Sequence, residues 1–430
     1  MKYHFIGDQG VSMKGLKAFM EHLGCEVSGS DLKTTGHRAE NVSPDVNVVV
    51  RTSAVAPGSP GWVEVEAAIS MGITVIKRSE LLGEITRNMK LIAVSGMHGK
   101  TTITSLAGLL LVEAKMDPTV LVGEDVEAFD GVLRIGHSPW FVAEACEYDR
   151  SFLDLQPQIL ILTNIEEEHL DTYPKGLPEI MDTFRQYISR VREGGVVIAC
   201  ADDENVNKVL SSVQPGVSVI RYGFKSDRYN RLDYSLSVPG QHNIQNALAV
   251  TALADYLKIP SPVVERVLKS FHGAHRRFEY KGNYHGADLI DDYGHHPTEI
   301  KATLQALAER YSGKRKIVVF WPHQYKRIKP LLEQFGEAFN QADEVIIKPI
   351  FLVPGRDEKL DVSSEDVVAR VKRHNISARV IETDKEIEDY LVNTLDSQSV
   401  LLTIGIPPVY KISDSLMAKK LEQETMPFSR

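Results

Sequence analysis

Leu91-Ile92-Ala93-Val94-Ser95-Gly96-Met97-His98-Gly99-Lys100-Thr101-Thr102 decides how the rest of the chain is read. A short apolar run, of strand length, breaks at two glycines and resumes as a helix-forming segment that carries on to residue 113. Strand, tight loop and helix in that order make a phosphate cradle. Glycines let backbone N–H groups turn inward, and a helix N-terminus adds positive potential. Lys100 is placed to reach β- and γ-phosphates, and the Thr101 hydroxyl to ligate Mg²⁺. The usual phosphate-loop pattern asks for a further glycine at the position of Val94, so this is a shortened variant. A bare Gly-Lys-Thr reads equally well as a solvated lysine on a turn. The strand before it and the helix after it favour ATP, with Gly96, His98, Gly99, Lys100, Thr101 and Thr102 as its contacts.

Outward from this loop the same alternation continues. Short β-branched runs at 3–6, 46–50, 74–76, 158–162, 196–199, 316–320, 344–347 and 400–403 read as buried strands. Amphipathic segments at 12–23, 101–113, 297–311 and 365–374 read as helices. The pattern predicts an α/β protein with mainly parallel sheets. A chain of 430 residues exceeds one ordinary domain. Polar steps near 87–90 and 282–283 divide it into 1–88, 89–282 and 283–430. With 43 % hydrophobic and 25 % charged residues, disorder is not expected. A net charge of −9 argues against nucleic acid as a partner. Cys25, Cys146 and Cys200 form neither a disulfide framework nor a zinc spacing, which points to a reducing compartment. No run approaches the ~20 apolar residues of a membrane span. The opening Met1–Gly7 run is too short for a signal peptide, so membrane insertion is not expected and the expected location is the cytoplasm.

Further blocks follow the loop. Phe141-Val142-Ala143-Glu144 ends a strand in a carboxylate, and Thr163-Asn164-Ile165-Glu166-Glu167-Glu168-His169 follows another. Pro239-Gly240-Gln241-His242-Asn243-Ile244-Gln245-Asn246 opens a helix. Arg276-Arg277-Phe278-Glu279, Asp291-Asp292-Tyr293-Gly294-His295-His296-Pro297 and Pro322-His323 come later. In this order the blocks resemble the Mur ligases and folylpolyglutamate synthetase, most closely the Mur branch that joins L-alanine to UDP-N-acetylmuramate. The resemblance implies three domains: a shortened Rossmann-like N-terminal domain for the UDP-sugar, a central P-loop ATPase-like domain for ATP and Mg²⁺, and a Rossmann-like C-terminal domain for the amino acid. It also implies a monomer or weak homodimer. Thr101, Glu144 and His169 would hold metal, and Asn246 would read adenine, with His242 and Asn243 shaping that pocket. Arg277 would meet the γ-phosphate, and Asp292 the ribose. Tyr293, His295 and His296 would face the reacting groups, and Arg327 would grip a carboxylate. Lys100, His169, Arg277, His295 and Arg327 form the implied catalytic set.

Bland roles stand beside these: helix capping for the Asn243–Asn246 turn and for His-His-Pro, a surface turn for the paired arginines, and a solvated acidic run for Glu166–Glu168. The chain also departs from the family. Gln9 and Ser12 stand where glycines are usual, and Asp8 adds a negative charge where a diphosphate would approach. Met97 replaces a threonine and Gln324 an arginine, and the stretch from Ser30 to Val46 is short, as if a helix or strand of the first domain were missing. These changes keep two alternatives open: a ligase with another amino acid or a recycled peptide as acceptor, and a catalytically weak nucleotide- or UDP-sugar-binding protein.

Overall fold

The computed structural model describes residues 1–353 and 357–425. Three sheets carry the chain. The first contains β1 (Lys2–Ile6), β2 (Glu26–Ser30), β3 (Val48–Arg51) and β4 (Thr74–Lys77), parallel in the order β2-β1-β3-β4. The second contains β5 (Lys90–Ser95), β6 (Thr119–Val126), β7 (Gly131–Arg134), β8 (Trp140–Glu144), β9 (Ile159–Leu162), β10 (Val196–Cys200) and β11 (Ser218–Tyr222). Its order is β11-β10-β9-β5-β8-β6-β7, with only β7 antiparallel. The third contains β12 (Glu279–Tyr284), β13 (Ala287–Asp292), β14 (Arg315–Phe320), β15 (Glu344–Ile347), β16 (Ser377–Val380) and β17 (Ser399–Ile404), in the order β12-β13-β17-β14-β15-β16, with β12 antiparallel. The apolar runs therefore become central strands, as continuous hydrophobic strands do when both faces of a parallel sheet are covered.

By packing, the chain divides into two units, one of Met1–Ser237 with Ile244–Ala274 and the other of Val238–Asn243 with His275–Arg430. In the first unit one apolar cluster is shared by the first two sheets, and a second, separate cluster packs on the first sheet. Helix α1 (Val11–His22) lies against β6 and β7, and the Phe19 ring meets Phe141 edge-on at 5.9 Å. Each large apolar side chain withdrawn from water in this way contributes roughly 1.5–3 kcal/mol. Between β2 and β3 the chain forms a single 3₁₀ turn, Ala39–Asn41, and no α-helix. Helix α2 (Trp62–Ser70) precedes β4, and α3 (Arg78–Thr86) follows it. In the second unit the third sheet is covered by two apolar clusters. Among the described residues, no helix is long and apolar enough to cross a membrane.

Helix α3 joins the two sheets of the first unit. Lys77 pairs with Asp149 at 2.9 Å, and Arg192 donates to the carbonyls of Met89 and Arg87, each at 2.8 Å. A Cβ on Gly83 would lie 2.4 Å from the Asp154 carbonyl oxygen, which is backbone and cannot swing away. In an open helix, Gly to Ala stabilises by about 0.5–1 kcal/mol. Here the sign should reverse: Gly83→Ala is expected to cost about 1–3 kcal/mol and lower the thermal midpoint. An unchanged or raised midpoint would show that this contact does not limit the packing.

Candidate active site

The loop Gly96–Gly99 leaves the end of β5, the middle strand of the second sheet, and runs into α4 (Lys100–Glu113). Gly96 has φ +131° and Gly99 φ +84°, so both lie where side chains are strained. Space forbids a side chain as well. A Cβ at Gly96 would fall 2.0 Å from the Thr163 hydroxyl, and one at Gly99 would fall 2.7 Å from Asn246 Oδ1. The loop is braced from the end of β9. Asn164 Oδ1 accepts from the N–H groups of Met97 (3.1 Å) and His98 (2.9 Å). Asn164 Nδ2 (3.2 Å) and the Thr163 hydroxyl (2.8 Å) both donate to the His98 carbonyl. The first-turn N–H groups of α4, from Lys100 onward, are those that no helix satisfies internally. They are the natural donors for phosphate oxygens. Thr101 and Thr102 begin this turn and are buried.

Lys100 curls back over the loop. Its ammonium donates to the carbonyls of Gly96 and Met97 and to both oxygens of Glu147, at 3.2 and 2.9 Å. The Glu147 side chain is only 2 % exposed and also faces His169 Nε2 at 3.2 Å. Burial alone would lower the Lys100 pKa, but the Glu147 charge overrides it and raises the value. Burial opposes ionisation of Glu147 too, yet Lys100 and His169 hold its carboxyl below the ordinary range. Tyr173 donates to the Glu147 carbonyl at 2.5 Å, which fixes the backbone from which the carboxylate projects. Glu144 ends β8 opposite Val94 of β5, and its Oε1 accepts from the Gly123 N–H at 2.7 Å. His169 adopts φ +55°. The structure thus gathers Gly96, Gly99, Lys100, His169 and Asn246 about one loop. Thr163 and Asn164 stand in a quoted motif and Glu147 three residues past another, but no spacing rule marked them for these roles.

The second unit gathers the later blocks. Arg276 is buried, not on a surface turn, while Arg277 beside it is half-buried. The Arg276 guanidinium pairs with Asp291 at 3.0 Å and donates to the carbonyls of Gly405, Ile406 (2.9 Å) and Pro407 (3.3 Å). It lies over the rings of Tyr293 (5.1 Å) and Tyr410 (4.8 Å). Arg276 and Phe278 take φ +58° and +50°, so the arginine fastens a strained segment. Arg277 lies over the Tyr293 ring at 5.0 Å, with Glu299 4.0 Å away. The Asp292 oxygens accept from the N–H groups of Phe278 (2.9 Å) and Gly294 (2.7 Å) and from the Thr303 hydroxyl (3.2 Å). His296 is the N-cap of the helix Pro297–Arg310, with Glu299 completing a capping box. His296 thus caps the helix that begins at Pro297. His295 Nδ1 donates to the Tyr293 carbonyl at 3.2 Å, which orients the ring. Burial lowers the pKa of His242, with Asp292 pulling against it and Arg277 reinforcing it. Asn243 donates to the Pro239 carbonyl at 2.7 Å. Arg327 contacts His323 Nδ1 at 3.2 Å, and Gln324 takes φ +68° to start that turn.

In the first sheet, Asp8 turns inward. Its carboxylate receives Lys17 at 2.8 Å and Gln9 Nε2 at 3.1 Å, in space that Gly29 leaves open. The charge expected to repel a diphosphate is neutralised within the fold.

Comparison with known proteins agrees with this arrangement. Three family models match in order along the chain: the Mur ligase family catalytic domain over residues 2–90, the Mur ligase middle domain over 94–232, and the Mur ligase glutamate ligase domain over 276–406. A UDP-N-acetylmuramate–L-alanine ligase of Clostridium kluyveri is 38 % identical over 453 aligned residues, spanning 96 % of this chain and 97 % of that one. The crystal structure of the UDP-N-acetylmuramate–alanine ligase of Thermotoga maritima superposes with a TM-score of 0.80 at 25 % identity, over 98 % of this chain and all of that one. A murein peptide ligase of Psychrobacter arcticus shares the fold, with a TM-score of 0.71 at 21 % identity over 97 % and 98 % of the two chains. With all three models in sequence, and a relative of this identity aligned almost end to end, the chain belongs to the Mur ligase family.

Proposed function

We propose that the chain is an ATP-dependent ligase that joins L-alanine to the carboxylate of UDP-N-acetylmuramate through an acyl phosphate, a step in peptidoglycan precursor synthesis in the cytoplasm. The observation that carries this reading is the cradle of Gly96, Gly99 and Lys100 at the start of α4. Identity to relatives of that activity over the whole chain supports the choice of substrates. The division of labour follows the three sheets: 1–88 for the UDP-sugar, 89–282 for ATP, and 283–430 for the amino acid, with β12 of the third sheet already starting at Glu279.

In the reaction the sugar carboxylate attacks the γ-phosphorus, ADP leaves, and the amine then displaces phosphate. Charge accumulates on the transferring group, so cations must already be in place. Lys100 would exchange Glu147 for phosphate oxygens, and Arg277 would meet the γ-phosphate. The Thr101 hydroxyl and the Glu144 carboxylate are hard oxygen donors of the kind Mg²⁺ takes. The ion would neutralise the phosphates. His169 would serve beside Glu147, its present partner, at a second metal position. Asn246 would close over the adenine side of the loop, and Asp292 would take the ribose. His295, oriented by the bond from Nδ1 to the Tyr293 carbonyl, would face the amino group that must lose a proton. Arg327 would hold the amino acid carboxylate with its planar fork.

Phosphate release from ATP and Mg²⁺ is expected only when UDP-N-acetylmuramate and L-alanine are both present. Release with a different amino acid or a peptide, and none with L-alanine, would move the acceptor. No release with any pair would favour a binding protein. Lys100→Ala should reduce turnover by about a hundred- to thousandfold while the protein stays folded by circular dichroism. Near-normal turnover would remove the phosphate-loop assignment. The neighbouring arginines should separate cleanly. Arg277→Lys is expected to lower kcat about tenfold or more with little change in the thermal midpoint. Arg276→Lys should lower the midpoint, because an ammonium cannot reproduce the fork that reaches Asp291 and three carbonyls. Equal effects of both on the midpoint would contradict this separation.

A further inference from the structure

Glu64 is wholly buried in α2, yet it carries a carboxylate for which the ligase chemistry above has no use. Its Oε2 accepts from the Ser30 hydroxyl at 2.7 Å and from His4 Nε2 at 2.8 Å. Its Oε1 accepts from His37 Nδ1 at 2.7 Å and Asn41 Nδ2 at 3.0 Å. Four donors thus converge on two oxygens. Burial raises the cost of the charge, but these hydrogen bonds outweigh it and hold the carboxyl at about 2, below its ordinary 4.5. The donors come from different places: His4 from β1, Ser30 from the last position of β2, and His37 and Asn41 from the segment that follows.

That geography matters. In parallel α/β sheets, ligands bind beyond the carboxyl ends of the strands, where the strand order reverses. In the order β2-β1-β3-β4 the reversal lies between β1 and β3, and the loop after β2 stands beside the loop after β1 at the same carboxyl edge. The Ser30 carbonyl receives the N–H groups of Gly7 (2.7 Å) and Asp8 (3.0 Å), which ties the two loops together. Residues 31–38 contain no helix or strand and include Leu32, 63 % exposed. What reaches into the core from this stretch is His37, with Asn41 just beyond it holding the Gly36 carbonyl at 2.9 Å.

We infer that Glu64 is a positioning residue of the UDP-sugar subsite, its buried carboxylate fixing the loop of residues 31–41 and the end of β2 against the loop after β1. The inference rests on the proposed function, which places the UDP-sugar on the first sheet. Glu64 also sets the imidazoles. Facing a carboxylate oxygen that can only accept, His4 must carry a proton on Nε2 and His37 one on Nδ1. A glutamine at position 64 would offer one acceptor and present its NH₂ to groups that are already donors. Two of the four bonds would be lost or the tautomers reversed.

The test uses the full-length enzyme with UDP-N-acetylmuramate, L-alanine and Mg-ATP. Glu64→Gln should raise KM for UDP-N-acetylmuramate about tenfold or more, while KM for ATP and for L-alanine stays within about threefold and kcat at saturation is largely kept. Asn41→Ala, a milder change at the same node, should raise the same KM. Combined with Glu64→Gln it should add less than the product of the two, because both act through one loop. Glu64→Asp, which keeps the charge, should recover part of the loss. An unchanged KM for the sugar nucleotide in both single variants would overturn the inference and leave the proposed function standing. So would a uniform loss of kcat with all KM values unchanged. If the wild-type enzyme itself ignores UDP-N-acetylmuramate, the proposed function fails and the inference falls with it. Should Glu64→Gln not fold, Asn41→Ala alone decides by the same KM comparison.

Discussion

A lysine ammonium withdrawn from water at the mouth of a helix sets the terms for the second sheet. Lys100 could not remain charged there unaided, since taking an ion out of water costs several kcal/mol. Glu147 supplies the counter-charge, and the carbonyls of Gly96 and Met97 take the remaining protons. This arrangement needs a loop short enough for its carbonyls to face back at the helix it precedes, which demands Gly96 and Gly99. It also needs a rigid Glu147, which Tyr173 and His169 provide. An incoming triphosphate would replace one set of oxygens around Lys100 with another. The lysine therefore has anionic company in both states, and no charge is stranded when the nucleotide leaves.

The second unit solves a related problem with an arginine. Arg276 and Phe278 both sit at positive φ, a conformation that costs each of them of order 1 kcal/mol. Asp291, three carbonyls after β17 and two tyrosine rings hold Arg276 in place and offset that cost. Arg277 stands between the two strained residues, so its direction is set by neighbours that cannot relax. One arginine fixes the backbone, and the next projects from it over the Tyr293 ring. The same economy recurs in the His295-His296 pair, where His296 caps a helix and His295 is oriented by the Tyr293 carbonyl.

Much of this was legible in the sequence, for definable reasons. Residues 91–94, 196–199 and 400–403 are continuous apolar runs, and such runs become central strands whatever surrounds them. β2, reading Glu-Val-Ser-Gly-Ser, has one large apolar residue and exists because β1 offers it a partner. β16 and β11 are edge strands of mixed polarity, and periodicity does not separate these from loops. The phosphate loop was visible because its constraint is local, a matter of glycines and a helix start. Glu147, Asn164, Arg276 and Glu64 were not singled out because their roles come from partners 15 to 130 residues away in the chain, or brought together only by the packing of four segments. A carboxylate at position 64 within a helix of alternating Glu and Val reads as a solvated face until the histidines appear beside it.

The departures in the first loop show how such long-range partners can reverse a local reading. The negative charge of Asp8 should weaken any site for a diphosphate. Taken alone, one negative charge a few ångströms from another costs a few kcal/mol where water is partly excluded. Yet Asp8 faces Lys17 and occupies the space above Gly29, so the pair is neutral and its charge points into the fold. Gln9 spends its amide on the same carboxylate. Gly7 keeps φ +82° and turns its N–H onto the Ser30 carbonyl, so the bend itself does not depend on the glycines that Gln9 and Ser12 replace. The altered residues and their compensations thus lie on one side of the loop. The other side is braced through Ser30 to Glu64. A loop whose shape is held from beneath by a buried carboxylate can tolerate changes along its length that a free glycine loop could not.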